Sequence, residues 1–579
     1  MDPEPDKPAD PPSNSTNPIP AFPDEVLEKV LSFVHSHKDR NSVSLVRKDW
    51  YHAERLTRSK VFIGNCYSVS PEIVARRFPR IKSITLKGKP RFSDFKLLPQ
   101  DWGANVHSWL VKFAEVYPFL EELRLKRMHI TDASLELLAN SSRLCPCRAV
   151  KGLVKMGLKL LLLIAVNLTE LDIQDSVTED INGDWLSCFP ENFTSLETLN
   201  IASFNTWDSF DVLEQLVSRC KSLRVLKVYK FTNLDQLRRL LVRAPQLTEL
   251  GTGSFVPQLT PHQYEEAESA FSNCKNLRVI SGLWTLISQN IPLLYGVCAG
   301  LTFLDLTNAY IDTDELAKLL AHISSLQRLW VIDTVGDDGL DVIGLSCPFL
   351  EELRVFPTGP YGHHESVTEL GLLSVSRGCR KLHYVLYYCR KMTNAAVVSV
   401  VRHCPDFTHF RLCIMDPRQP DYLTNQPMDE AFAAVAKTCP NLKRLSVSGL
   451  LTDLTFEYIG KYAKKLETLS VAFAGGSDLG MQYVLEGCPK LRKLEIRDSP
   501  YGNAGLLFGG AKYETMRSLW MSACYVTVKG CKFLAREMPR LNVEVIVNVN
   551  NESLADIVYV YHSVVGPRQD APPFVNIML

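Results

Sequence analysis

The dominant hydrophobic pattern in this chain is Leu-x-x-Leu-x-Leu, which recurs after residue 80. Copies include Leu120-Glu-Glu-Leu-Arg-Leu, Leu168-Thr-Glu-Leu-Asp-Ile, Leu223-Arg-Val-Leu-Lys-Val, Leu350-Glu-Glu-Leu-Arg-Val, Leu442-Lys-Arg-Leu-Ser-Val and Leu491-Arg-Lys-Leu-Glu-Ile. Alternating apolar and polar positions predict a half-buried strand, and a helical stretch precedes each copy. The step between copies is roughly 24 to 35 residues, the period of leucine-rich repeats. One unit cannot bury its own apolar face. The pattern therefore predicts an α/β fold: a curved leucine-rich-repeat solenoid, with parallel strands on its concave face and helices on its convex face.

One copy is missing. The step from Leu120 to Leu168 is about twice the repeat, and residues 141 to 167 between them carry no Leu-x-x-Leu-x-Leu. Either the repeat has degenerated, or a short stretch is read in the wrong frame. Both readings make this stretch the least well packed part of the solenoid.

Ahead of the repeats, Val26, Leu27, Val30, Leu31 and Val34 fall at helical spacing, and Pro23 suits a helix start. Val43, Val46, Trp50 and Ala53 share one face of a second helical segment. Two or three helices in about 40 residues make too small a core to stand alone, so this block must lean on something. The expected organisation is a disordered Pro-rich tail (1–20), a helical block (21–62), the solenoid (63–560) and a C-terminal cap or tail (561–579).

Composition narrows the partners. The 64 Lys and Arg residues balance 64 Asp and Glu residues, so nothing global points to nucleic acid or a membrane. Leu160 to Val166 is far shorter than the roughly 20 apolar residues that span a bilayer, and the N-terminus has no apolar signal core. The chain reads as soluble. Many of the 16 cysteines precede the leucine pattern, as in Cys220-Lys-Ser-Leu, Cys379-Arg-Lys-Leu and Cys488-Pro-Lys-Leu. That regularity predicts buried, reduced thiols in an intracellular protein. No cysteine spacing suggests zinc, and His363-His364 alone makes no metal site. Gly-rich phosphate loops, His-Glu-x-x-His and Gly-x-Ser-x-Gly are absent from the sequence. Cys413 near His409 reads as packing, not as a nucleophile. The expectation is a non-catalytic protein without a metal.

Strand alternation puts the residues flanking the second leucine, and the one after the third, on the concave face. Lys87, Arg124, Lys126 (with Arg127 adjacent), Arg354, His409, Arg411, Arg444, Lys493 and Arg497 fall there, with Cys413, Ser446, Ser448 and Glu495. Clustered cations suit a polyanion rich in phosphate. The alternative is that they are solvated, or paired with Glu122, Glu352 and Glu495.

The block from Phe22 to about Phe62 resembles an F-box, the helical motif that docks on a Skp-type adaptor of a cullin ubiquitin ligase. Longer strings resemble the transport-inhibitor-response and auxin-signalling F-box receptors. They include Val61-Phe-Ile-Gly-Asn-Cys-Tyr, Leu86-Lys-Gly-Lys-Pro-Arg-Phe-Ser-Asp-Phe, Arg411-Leu-Cys-Ile-Met and Ser446-Val-Ser-Gly-Leu-Leu-Thr-Asp. Ser470-Val-Ala-Phe-Ala-Gly, Leu494-Glu-Ile-Arg-Asp-Ser-Pro and Met516-Arg-Ser-Leu-Trp-Met-Ser extend the likeness towards the C-terminus.

The resemblance implies a nuclear, substrate-recognising subunit of a cullin-type (SCF) E3 ligase that recruits Aux/IAA transcriptional repressors through their degron when auxin is bound. It implies structural inositol hexakisphosphate held by Lys87, Lys126, Arg127, Arg354, His409, Arg444, Lys493 and Arg517. The hormone carboxylate would meet Arg411 and Ser446. Arg91, Phe92, Phe95, Leu412, Ser448, Gly449, Ser470, Ala472, Tyr388 and Tyr361 would line the hormone pocket. Phe92, Phe95, Arg497 and Glu495 would touch the substrate peptide. Phe22, Pro23, Leu27, Val30, Leu31, Val46 and Trp50 would meet the adaptor. Arg91 stands where many members have His, Tyr361 and Tyr388 stand where Phe is usual, and His409 stands where some have Arg. A hormone-free F-box adaptor, or one reading another plant hormone, is the competing expectation.

Overall fold

A computed structural model of the chain describes residues 23–64, 66, 69–88, 104–126, 128, 137, 149–151, 168–172, 183–256, 259–359, 367–416, 418–508, 513–538, 541–546, 559–562 and 575–578. Helices Asp24–Ser32, His37–Val43 and Lys48–Thr57 come first. Their own core is small: Leu27, Leu31 and Ala53, with Val34, Val43 and Trp50 packed against it. The apolar positions of Asp24–Ser32 split between two faces. Leu27 and Leu31, four residues apart, point inward, whereas Val26 and Val30 are exposed, as is Phe33 just beyond the helix. The expectation that Leu27 and Leu31 meet an adaptor is thereby corrected, because their side chains are consumed by the block's own core.

From Lys60 onward, 19 strands among the described residues form one sheet. Each pairs in parallel with the next in sequence, from Lys60–Ile63 against Ser83–Lys87 to Ser518–Ser522 against Asn542–Ile546. The ladder thus begins inside the last residues that the sequence assigned to the helical block. The second leucine of each copy stacks on its neighbours: Leu199, Leu226, Leu250, Ile280, Leu304, Leu329 and Leu353 are successive cross-strand partners. All are buried, each worth about 1.5–3 kcal/mol relative to exposure.

The ladder also passes through the missing copy. Ala149–Lys151 pairs with Glu122–Arg124 on one side and Glu170–Asp172 on the other, with Val150 in register with Leu123 and Leu171. Residues 141–148 and 152–167 lie outside the described residues, and the expectation of poor packing falls on them.

The repeated cysteines occupy one position, the C-cap of the repeat helix: Cys220, Cys274, Cys347, Cys379, Cys404, Cys439 and Cys488. All seven are buried and free. The Cys379 thiol donates to the Cys347 carbonyl at 3.1 Å.

At the opposite end of the helices runs a second regularity. A carboxylate or amide in the first helical turn accepts from the N-cap of the next repeat. Asp337 accepts from Thr368 N and Oγ1 at 2.8 and 2.6 Å. Asp429 does the same for Thr452 at 2.9 and 2.6 Å, and Asp453 for Ser477 at 3.0 and 2.6 Å. Asp478 accepts from Gly502 N, and Asn503 from Thr527 N at 2.9 Å. In these repeats the cap is held by the predecessor, and this couples the stack.

Tyr559–His562 and Val575–Met578 pair in parallel as a separate two-stranded sheet. Among the described residues, no helix is long and apolar enough to cross a membrane, and no group of three His, Cys, Asp or Glu side chains could hold a metal ion.

Candidate functional site

Strands Tyr384–Cys389, His409–Ile414, Arg444–Val447, Thr468–Ala472 and Lys493–Arg497 are consecutive in the ladder. Their outward-facing side chains form rows across the sheet, because parallel pairing keeps equivalent positions in register. The central row reads Leu386, Arg411, Ser446, Ser470 and Glu495. The row nearer the strand starts reads Tyr384, His409, Arg444, Thr468 and Lys493. Tyr388 and Cys413 are partners in a third row, as are Ala472 and Arg497.

The central row carries two hydrogen-bonded pairs. Arg411 Nε donates to Ser446 Oγ at 3.3 Å. Ser470 Oγ donates to Glu495 Oε2 at 2.6 Å, and Lys493 Nζ pairs with Glu495 Oε1 at 2.7 Å. Glu495 is thus committed to two side chains of its own sheet. Arg354 is committed as well: Nε pairs with Glu352 Oε1 at 2.6 Å, and the guanidinium lies over Trp330 and Tyr384 at 4.3 and 4.7 Å. Arg124 pairs with Glu122. The alternative that concave cations are internally paired therefore holds for Arg124, Arg354 and Lys493. Arg411 differs. Among the described residues it has no carboxylate partner, and its one hydrogen bond is to Ser446.

Two other cation groups are brought together. Lys87 and Lys126 are direct cross-strand partners, and His409 is the partner of Arg444. His409 stacks on Tyr384 with centroids 4.9 Å apart. Burial holds its pKa below 6.5, helped by Arg444, His383 and Lys443, and Glu352 opposes this. Arg517 NH1 donates to the carbonyls of Glu514 and Met516 at 2.8 and 2.9 Å. Lys87 and Lys126 lie near the first end of the ladder, well before Arg354 and Lys493 in strand order.

Other expected pocket residues serve the scaffold. The Leu412 side chain is buried in the apolar core on the other face of its strand, so its placement as side-chain lining is corrected; alternation sends it inward. Ser448 Oγ accepts from Ile414 N at 2.7 Å and donates to the Leu412 carbonyl at 3.3 Å. Gly449 has φ +95°, and a Cβ there would lie 2.9 Å from both Gln419 O and Ile414 Cδ1. Only glycine fits that close approach. Arg497 lies over Phe473 and donates to Asp498 Oδ2 at 2.7 Å. Burial pushes the Cys413 thiol up, with Arg411 and a hydrogen bond from Tyr388 opposing. Arg91, Phe92, Phe95, Arg127, Tyr361 and Phe22 lie outside the described residues.

In the helical block, Pro23, Val30 and Val46 are exposed and Trp50 is half-buried. Val26, Phe33 and Leu45 join this exposed apolar surface. Sequence reading missed Phe33 and Leu45 as surface residues, although Phe33 extends the Val26–Val30 stripe by the helical step.

A family model described as the transport inhibitor response 1 protein domain matches residues 79–125, and an F-box model matches residues 20–60. The chain is 48% identical to GRR1-like protein 1 of Arabidopsis thaliana, over 96% of each chain. It is 44% identical to a transport inhibitor response 1-like protein of Oryza sativa subsp. japonica, over 96% of this chain and 97% of the relative. Identity falls to 30% with a rice coronatine-insensitive protein homologue, over 95% of both.

Proposed function

Because this chain belongs to the transport-inhibitor-response family of F-box/leucine-rich-repeat proteins, whose F-box binds a Skp-type adaptor of an SCF ubiquitin ligase, we propose that it is an auxin co-receptor recruiting Aux/IAA repressors. One observation carries the hormone reading. Arg411 is a half-buried guanidinium with a serine hydroxyl alongside and no carboxylate partner among the described residues. A ligand carboxylate would supply the missing acceptor for its fork of donors. Ser446, Ser470 and Glu495 continue the polar row on which a small acid and a peptide would rest.

On this reading the chain itself supplies no acid, base or nucleophile. Hormone and degron each enlarge the other's contact surface, so each raises the other's affinity. Inositol hexakisphosphate is proposed as a structural ligand of the cation rows. The adjacent Lys87 and Lys126, and the adjacent His409 and Arg444, fit a polyanion, which would relieve like-charge repulsion. A nuclear location is proposed with it, because the proposed substrate is a transcriptional repressor.

The test is capture of an Aux/IAA degron peptide by the purified chain with its adaptor, with and without indole-3-acetic acid. Hormone-dependent capture is expected. Equal capture without hormone would leave a plain F-box adaptor, and capture only with a different plant hormone would reassign the pocket.

A further inference from the structure

The cap ladder along the helix N-termini changes character at one repeat. Where Asp429, Asp453 and Asp478 open their helices, Glu369 opens the helix Glu369–Gly378. Its longer side chain turns to the Tyr422 hydroxyl, which donates to Oε1 at 2.5 Å. The start of the following helix, Asn394–His403, is tied elsewhere: Asn394 N, just after the Thr393 N-cap, donates to Asp421 Oδ2 at 2.7 Å. Asp421 and Tyr422 belong to the segment between the Arg411 strand and the helix Asp429–Thr438. This segment supplies a carboxylate at the N-terminus of that helix, where in other repeats a predecessor aspartate reaches the N-cap.

The rest of the segment is equally tied. Asp421 Oδ1 accepts from Leu423 N and Thr424 N, both at 3.0 Å. Asn394 Nδ2 donates to the Pro427 carbonyl at 3.0 Å. On the other side, Leu450 N donates to the Gln419 carbonyl at 2.7 Å, and Met428 N to the Leu450 carbonyl at 2.8 Å. Arg418 and Asn425 hold left-handed φ values of 55° and 56°, conformations that non-glycine residues keep only where the surroundings fix them. The segment therefore bridges from Glu369 and Asn394 to the Gly449 turn that follows Ser446 and Ser448.

Glu369 is 6% exposed, and its Oε2 is buried without a partner among the described residues. Tyr422 supplies its only hydrogen bond there. A buried carboxylate with a single donor makes that bond decisive for where the segment sits.

We infer that the Tyr422–Glu369 bond is a clasp that fixes residues 418–428 as a preformed wall beside the Arg411–Ser446 pair, making both residues positioning residues for hormone-dependent substrate capture. The second half of this inference rests on the co-receptor reading; the clasp itself does not. A wall that is already ordered spares the complex the entropy of ordering it, and this acts mainly on dissociation.

The experiment uses the full chain with its adaptor and four variants: Tyr422→Phe, Glu369→Asp, their double variant, and Glu369→Gln. Glu369→Asp restores the length used elsewhere in the ladder, so it keeps a capping residue but cannot reach Tyr422. Glu369→Gln retains an acceptor and serves as the conservative rescue. Amide hydrogen exchange within 418–428 is expected to quicken roughly tenfold in Tyr422→Phe and Glu369→Asp, while the neighbouring repeats stay protected. Degron dissociation in the presence of indole-3-acetic acid is expected to quicken about threefold to tenfold in the same two variants, without adding in the double variant. Glu369→Gln is expected to stay near the parent in both readouts. Unchanged exchange in the first two variants would overturn the clasp. Faster exchange with unchanged dissociation would overturn its positioning role. A parent protein that captures no degron with hormone would overturn the co-receptor reading, and with it the capture role, while the exchange readout still decides the clasp.

Discussion

Glu54 in the third helix of the F-box block accepts from Arg77 NH2, in the first solenoid helix Pro71–Arg77, at 2.8 Å. Arg58 also bonds the Glu54 carboxylate, and Arg40 lies 3.9 Å away. The Glu54 side chain is fully buried. The Arg77 guanidinium lies over the Tyr51 ring at 3.7 Å, and Arg55 donates to the Arg76 carbonyl. Burial lowers the pKa of Arg40 and Arg77, and Glu54 opposes this. The undersized helical core therefore leans on the solenoid through a buried ionic junction. Glu54→Ala would strand buried cations and is expected to cost about 3–5 kcal/mol, read by denaturant melting of the adaptor complex. A loss below about 1 kcal/mol would mean the junction behaves as a solvated surface pair.

The two apolar faces of Asp24–Ser32 should separate experimentally. Val30→Glu and Val46→Glu alter exposed side chains and are expected to abolish adaptor binding while changing melting by little. Leu31→Ala removes a fully buried side chain and is expected to destabilise the block by about 2–5 kcal/mol. Adaptor titration beside a melting curve distinguishes them. Tight binding by both glutamate variants would move the docking surface elsewhere.

The leucine spacing made the ladder legible because period-two burial is imposed by the pleat. It also located Arg411, Ser446 and the cation rows. The two-face split of the first helix was not legible, because Val26, Leu27, Val30 and Leu31 are all apolar and only tertiary packing selects Leu27 and Leu31. The cap ladder and its diversion at Glu369 were also hidden. They rest on single Asp, Asn and Glu residues whose partners lie one repeat away, at distances no local pattern encodes. The scaffold roles of Ser448 and Gly449 were hidden too, because they depend on the Ile414 and Leu412 backbone and on the close approach of Gln419 to Gly449.

Protonation of His409 should couple to anion binding. Its folded pKa is depressed below 6.5, so between that value and 6.5 the unfolded chain binds more protons than the folded one. His409 therefore contributes stability that is fully present above pH 6.5 and is lost as pH falls through the folded value. A polyanion beside it favours the charged ring and reverses this trend. Inositol hexakisphosphate is expected to bind more tightly at pH 6 than at pH 7.5 with proton uptake, measured by calorimetry in two buffers of different ionisation enthalpy. His409→Arg removes that proton uptake and tightens binding at pH 7.5. Identical proton uptake in parent and variant would place the phosphate away from His409.

Arg411 should tolerate no cationic substitute. Its Nε is held by Ser446 Oγ at 3.3 Å, which orients the planar fork. Lysine offers a point charge without that fork. Arg411→Lys is expected to lose about 1.5–3 kcal/mol of hormone-dependent capture, the worth of a hydrogen bond to a charged group. Ser446→Ala frees the guanidinium from its orienting contact and is expected to lose less, about 0.5–1.5 kcal/mol. A hormone analogue with the carboxylate replaced by an amide should bind the parent weakly and should discriminate little between parent and Arg411→Lys. The readout is equilibrium capture of the degron peptide across hormone concentration. If the amide analogue discriminates as strongly as the acid does, Arg411 acts on the peptide or the scaffold and the carboxylate clamp is wrong.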